Sequence, residues 1–273
     1  MEELNKVSTT LKGGLGNYMF QIAATEAYSL DHNKIPVYSF DLAIAAHKDI
    51  ALYRDNIFRD AMQGGWDGID TMLIEPSFEY NKLPFAEGSV MLDGYFQSEK
   101  YFEKHSNQIR EMFSESPEST DYIESKYGNL FAAKDLVSMH VRRGDYKKYP
   151  KHHPMLSLDY YKKAIDIFVK RDKSSFLVFS DDVEWCRKNF VGPVFDDVEL
   201  IYSNNEFDYI DMYLMARCRN NIIANSTFSW WGAWLNNNTS KQIVAPNKWF
   251  GRALKGKDTS DLIPGTWREI SCK

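Results

Sequence analysis

The chain predicts an α/β protein organised as two halves, each built round a parallel sheet. Three observations carry that expectation. In the second half, short β-branched or aromatic runs alternate with longer amphipathic stretches. In the first half the same alternation recurs less cleanly. A chain of 273 residues, 44% of them hydrophobic, is long enough for two modest cores.

The runs of the second half are LVSMHV (136–141), FLVFS (176–180), VELIY (198–202), NIIAN (221–225) and QIVAP (242–246). Between them lie four helical stretches: SLDYYKKAIDIFVKR, with Ser157 as N-cap, DVEWCRKNF, EFDYIDMYLMARC and STFSWWGAWLNN. Five strands joined by helices imply a doubly wound parallel sheet. In the first half the strands are VSTTL (7–11), IPVYS (35–39), TMLIE (71–75) and SVMLDGYF (89–96). One helix, MFQIAATEAYSLDH, follows a glycine cluster, and another, SEKYFEKHSNQIREMF, follows the last strand. SESPESTD (114–121) reads as a surface loop before one more helix ending near Ala133. The boundary is therefore placed at 133/134, giving domains 1–133 and 134–273. The stretch from Ala43 to Gly68 shows no clear period.

Totals exclude several function classes. A formal net charge of −5 and the absence of a basic stripe argue against a general nucleic-acid binder. No signal-peptide pattern opens the chain and no run of some 18 apolar residues occurs, so a soluble cytoplasmic protein is expected. Cys186, Cys218 and Cys272 are an odd, scattered set without CxxC, which fits a reducing compartment. The sequons at Asn225 and Asn238 are accordingly not read as glycosylation sites. GGLGN (Gly13 to Asn17) opens a helix after a strand, and Asn17 is expected to cap it, but no frame completes GxGxxG. No GKS or GKT occurs either, so dinucleotide and P-loop readings fail.

Ligands of open α/β sheets bind beyond the carboxyl ends of the strands. There the chain places HVRRGD (His140 to Asp145), Ser180 with Asp181 and Asp182, Asn225 with Ser226 and Thr227, and Pro246 to Lys248. Two guanidiniums can hold a diphosphate by bidentate, charge-assisted bonds. The helix opening at Ser226 and Thr227 adds amides and a dipole end, a smaller contribution of ~0.3–2 kcal/mol. Asp181 or Asp182 can accept hydrogen bonds from a ribose or a guanine. The plainer alternatives are a surface ion pair for Arg142, Arg143 and Asp145, helix capping for Asp181 and Asp182, and core packing for Phe228, Trp230, Trp231 and Trp234.

GGLGNYMFQIA, LDGYFQSEKYF, HVRRGDY, FSDD and ANSTFSWWGAWL, in this order and spacing, resemble the bacterial α-1,2-fucosyltransferases of glycosyltransferase family 11. The resemblance runs from about Lys12 to PGTWREI. It implies a GT-B-like architecture, two Rossmann-type domains facing across a cleft, with GDP-fucose held by the C-terminal domain and a galactose-terminated glycan by the N-terminal one. It implies that Arg142 contacts the donor diphosphate, with His140 and Arg143 supporting the nucleotide. It further implies donor contacts from Asp181, Asp182, Ser226 and Thr227, with Gly14, Gly16 and Asn17 close to the sugar. Tyr18 stands where relatives often carry Gln. Transfer would proceed with inversion and, since no Asp-x-Asp occurs in the chain, without a metal or other cofactor. Asp145 and Asp93 remain alternatives for the base, Asp145 being the better fit to an orienting role beside the arginines. The basic, aromatic stretch Asn247 to Lys257 suits peripheral contact with an anionic inner membrane, although a solvated loop is the plainer reading. Oligomeric state has no signature in the sequence.

Overall fold

The computed structural model describes residues 5–42, 50–65, 67–169 and 174–272. The chain divides into two compact units, one comprising the described residues up to Ser116 with Lys257–Pro264, the other Pro117–Gly256 with the residues from Gly265. The first unit contains β1 (Lys6–Thr9), α1 (Leu15–His32), β2 (Ile35–Pro36), α2 (Ile50–Arg54), β3 (Thr71–Ile74), β4 (Val90–Asp93) and α3 (Ser106–Met112). Its sheet is parallel in the order β2-β1-β4-β3. Val7, Val90 and Leu92 from the two inner strands pack with Ala24 and Tyr28 of α1. The segment Lys257–Pro264 is tied to this unit: Asp261 accepts the Tyr80 amide at 3.0 Å and pairs with Lys100, and Leu262 is buried.

Several local expectations are corrected here. Asn17 does not cap α1, which starts earlier, at Leu15, with Gly14 as its N-cap and no side-chain cap. Gly13, at φ +95°, makes the turn that allows this start, a backbone state that favours glycine. The strand expected over 89–96 stops at Asp93, because the Glu75 carboxylate takes the amides of Tyr95 (2.7 Å) and Phe96 (2.9 Å) out of the sheet ladder. Phe96 then turns to φ +51°. The single helix expected over 98–113 is instead two 3₁₀ turns followed by α3, since the buried Phe102 interrupts it at φ −139° and ψ 5°. IPVYS contributes two strand residues and one bridge, Tyr38 to Gln63. Within the illegible stretch, 43–49 and Trp66 lie outside the described residues.

The second unit opens with α4 (Pro117–Ala133). The division therefore falls ahead of this helix, where the sequence placed it behind. Buried Ile123 and Tyr127, together with Tyr127 Oη to Asn205 Oδ1 at 3.1 Å, fix the helix to the second sheet's unit. Its start at Pro117 also turns five of the eight residues of the expected surface loop into helix, with proline in the first position it tolerates. There follow β5 (Leu136–Val141), α5 (Leu158–Phe168), β6 (Ser175–Ser180), α6 (Val183–Asn189), α7 (Pro193–Asp196), β7 (Glu199–Tyr202), α8 (Asp208–Arg217), β8 (Asn220–Ile222), α9 (Thr227–Trp234), β9 (Ile243–Pro246) and β10 (Arg268–Ile270). Ser157 caps α5 as expected, its Oγ accepting the Tyr160 amide at 3.3 Å. The end expected for that helix, Lys170 and Arg171, lies outside the described residues.

The second sheet is parallel throughout in the order β10-β9-β8-β5-β6-β7. Renumbered from β5, this is the doubly wound order 6-5-4-1-2-3, whose direction reverses between β5 and β8. All six residues of β5 are buried, as a central strand covered on both faces requires. Val137, Met139 and Val141 face a cluster completed by Tyr160, Tyr161, Ile165 and Phe168 of α5. On α9, Trp230 and Trp231 are wholly buried, so the tryptophans pack the helix. The sixth strand, β10, has no counterpart in the expected set. Its three residues are short and mostly exposed, which leaves no hydrophobic run to detect.

Candidate active site

The sequence of β5 carries His140 to the sheet's reversal point and releases Arg142 and Arg143 just beyond it. The segments after β6 and β8 meet them there. Arg142 is held between two carboxylates: Nη1 lies 3.1 Å from Asp181 Oδ2 and Nη2 lies 2.8 Å from Asp145 Oδ1. The Asp145 contact is an ion pair outside hydrogen-bond alignment. Asp181 also accepts the Arg143 amide at 2.8 Å, which locks the turn. Gly144 completes it, because a Cβ there would stand 2.6 Å from Asp181 Oδ2.

Arg143 has a different fate. Its Nε donates to Asp182 Oδ2 at 3.2 Å and its guanidinium lies 3.6 Å above the Trp185 ring. Its side chain is 14% exposed against 32% for Arg142. Arg142 is thus the accessible cation and Arg143 a structural one. Asp182 is likewise engaged: it caps α6 through the Trp185 amide at 3.3 Å and pairs with Lys147 and Arg143, which hold its carboxyl below the usual range.

His140 is 4% exposed, and burial, assisted by Arg142, pushes its imidazole down to about 3. It is therefore neutral at physiological pH. Its Nδ1 has no hydrogen-bond partner, and its ring sits 5.5 Å from that of Phe228 on α9. Ser226 is the N-cap of α9 and is buried without using its side chain as a cap, and Thr227 is the first helical residue. Asn225 is 1% exposed, which disposes of its sequon as a glycan site. Its Nδ2 donates to Pro154 O and Trp249 O, both at 3.0 Å, its own carbonyl accepts Tyr146 Oη at 2.7 Å, and its Oδ1 is left without a partner. Tyr146, Gly144, Trp185 and the structural use of Asn225 were not anticipated. The signal for Asn225 was its place after a strand; the others are revealed only by contacts across the turn.

The strand order of the first unit's parallel sheet also reverses, between β1 and β4. At that point Lys12 Nζ meets Asp93 Oδ1 at 2.7 Å. Gln21 fixes the turn by accepting the Lys12 amide at 3.0 Å and donating to the carbonyls of Lys12 and Gly94. Asn17 Oδ1 accepts Gln97 Nε2 at 3.0 Å, while Gln97 Oε1, on a residue 7% exposed, has no partner. Gly14 borders open space, Gly16 is buried in the first turn of α1, and Gly13 is the glycine the turn geometry requires. Tyr18 is 1% exposed, so its ring belongs to the core. Glu75, expected as the last residue of a strand, governs the loop after β4 by accepting the Tyr95 and Phe96 amides; burial raises its pKa. Asp93 and Asp145 thus each touch a cation, and they belong to different units.

Residues 2–261 match the sequence profile of Glycosyl transferase family 11. The chain is 32% identical over 302 aligned positions to an α-1,2-colitosyltransferase of Escherichia coli, covering 97% of this chain and 98% of that one. It is 38% identical to the O-antigen biosynthesis glycosyltransferase WbnK of Escherichia coli, over 66% of this chain and 61% of the relative. Among solved structures, the fucosyltransferase NodZ from Bradyrhizobium superposes with a TM-score of 0.55 at 12% identity, covering 84% of this chain and 92% of NodZ. A likeness at that identity concerns the fold, which is GT-B-like: two α/β units, each with a parallel sheet. The match over nearly the whole length and the charged turn at the second sheet's reversal point agree: this chain is a glycosyltransferase and belongs to glycosyl transferase family 11.

Proposed function

We propose that the protein is an inverting, metal-independent α-1,2-fucosyltransferase that moves L-fucose from GDP-β-L-fucose to the 2-hydroxyl of a terminal galactose in a glycan. The observation that carries this reading is the accessible Arg142 guanidinium, held by Asp145 and Asp181 beyond β5, with the start of α9 after the neighbouring β8. The motif resemblance and the family membership support fucose as the sugar. In this reading the second unit binds the donor and the first the acceptor. The acceptor oxygen attacks the anomeric carbon as the bond to the diphosphate breaks, and the hydroxyl proton passes to a carboxylate. Negative charge grows on the departing GDP, and Arg142 with the amides of α9 stabilises it electrostatically. The buried, neutral His140, Arg143 and Asp182 shape the turn that presents Arg142, and Ser226 and Thr227 bring the helix amides to the phosphates. Asp145 orients Arg142, which leaves Asp93 as the acceptor-side carboxylate to test as the base.

The test is GDP release from GDP-fucose in EDTA, with and without lactose. Acceptor-dependent release that Arg142→Ala lowers by about 10²–10³-fold supports the reading. Release abolished by EDTA and restored by Mg²⁺ would refute metal independence. A second donor reading rests on the E. coli relative that matches 97% of the chain and is named a colitosyltransferase. Colitose is the 3-deoxy counterpart of L-fucose, so competition between the two GDP-sugars separates these readings. GDP-mannose belongs in the same panel. Family membership does not favour a non-catalytic binding protein.

A further inference from the structure

Beyond the carboxyl ends of β5 and β9, the second unit carries two loops that sequence distance hides from each other, 146–155 and 247–256. They are bonded into one body. The Gly251 amide donates to His152 O at 2.7 Å and the Ala253 amide to Lys151 O at 2.9 Å. No larger residue fits at Gly251, since a Cβ would stand 2.8 Å from the Lys151 carbonyl carbon. Asn225 staples both loops to the sheet by donating to Pro154 O and Trp249 O. His153 stacks on Tyr146 at 4.9 Å and meets Phe250 at 5.9 Å, which closes the interior of the pair.

The outer surface of this body has one sign. Its twenty residues include Lys147, Lys148, Lys151, Lys248, Arg252 and Lys255, all exposed, and no Asp or Glu. Lys147 pairs with Asp182, but the other five have no ion-pair partner among the described residues. Such clustering is unexpected in a chain with 38 acidic and 33 basic residues, where random placement would intersperse the signs. Among the cations stand Tyr149, 58% exposed, and Met155, 38% exposed. Long cationic side chains beside exposed aromatic and flexible apolar ones match a bilayer interface, where ammonium groups meet lipid phosphates and rings enter the headgroup layer.

We infer that the paired loops 146–155 and 247–256 form a docking surface for a membrane rich in anionic phospholipid. The charge complementarity is local, while the net −5 of the whole chain repels other orientations, so the patch also sets the approach. Docking would turn the carboxyl edge of the second sheet, Arg142 included, towards substrates carried at the membrane. The patch adjoins the turn that carries Arg142, but Lys148, Lys151, Arg252 and Lys255 themselves have no assigned part in transfer, so GDP release with a soluble acceptor reads that reaction separately from docking.

The experiment is sedimentation of the full chain with vesicles of phosphatidylcholine alone or mixed with phosphatidylglycerol, at low and high salt. The expected result is retention only on the anionic vesicles, lost at high salt. Single substitutions Lys148→Gln, Lys151→Gln, Arg252→Gln and Lys255→Gln should each weaken partitioning about fivefold, from ~1 kcal/mol per cation near a charged surface. The four combined should abolish it while leaving GDP release with a soluble acceptor unchanged. Tyr149→Ser, which leaves the charges in place, should weaken retention without altering its salt dependence. Equal binding to neutral vesicles, no binding to anionic ones at low salt, or retention that survives the combined substitution would overturn the inference.

Discussion

The strand-end clusters of the two units use the same topological position for opposite chemistry. Beyond β5, β6 and β8 the second unit gathers two arginines, Lys147 and three carboxylates, interlocked so that one guanidinium stays accessible. Beyond β1 and β4 the described residues of the first unit include one ion pair, Lys12 with Asp93, a Glu75 carboxylate already engaged by the Tyr95 and Phe96 amides, and three side-chain amides, Asn17, Gln21 and Gln97. A charged cluster favours an anionic group whose charge grows during reaction. A cluster of amides favours neutral hydroxyls, whose recognition depends on directed hydrogen bonds. Reversal of strand order supplies a crevice in both sheets, and only the side chains there decide what it receives.

The contrast breaks most sharply at Arg142. Arg142→Ala is expected to lower kcat by about 10²–10³-fold, and Arg142→Lys to recover little of it, because an ammonium cannot reproduce the planar fork. Steady-state GDP release checks both. Gly144→Ala is the next largest. The added Cβ must displace Asp181, and through it Arg142, so kcat/KM should drop about 10–100-fold with a small change in Tm.

In the first unit, Glu75→Gln removes one of two acceptors for the Tyr95 and Phe96 amides. It should destabilise the protein by about 1–3 kcal/mol and raise KM for the acceptor while leaving KM for the donor unchanged. A change in donor KM instead would show that the two clusters do not divide the substrates as proposed. His140 sharpens the comparison through pH. Its folded pKa of about 3 lies below the ordinary 6.5, so the unfolded chain binds the extra proton between these values. Stability should be complete above 6.5 and decline as pH falls towards 3, and urea midpoints should fall less steeply in His140→Gln. The smallest effect belongs to the scaffold. Ser157→Ala should cost about 1 kcal/mol by removing the cap of α5, read from the urea midpoint, without altering turnover.

Much of the second unit was legible because its strands are continuous apolar runs bounded by polar residues. LVSMHV coincides with β5, and Ser157 caps the helix it was expected to cap. The first unit was harder, since its elements are interrupted by side-chain contacts from distant segments. Glu75 ends β4 by taking its next amides, and Gly13 moves the start of α1 ahead of Asn17. Neither event has a local signal. The placing of α4 with the second unit likewise depended on a hydrogen bond from Tyr127 to Asn205, 78 positions away.

By itself, the sequence determined the α/β class, the parallel sheets and the set of charged residues at the strand ends, because these follow from hydrophobic period and from polar residues at its breaks. Tertiary structure alone decided which of two adjacent arginines is accessible. Arg142 and Arg143 are chemically identical neighbours, and the distinction arises where Trp185 and Asp182 enclose one and leave the other between Asp145 and Asp181. It also decided that two basic loops a hundred residues apart form a single surface, because that depends on backbone bonds between Gly251 and His152 that no spacing in the chain encodes.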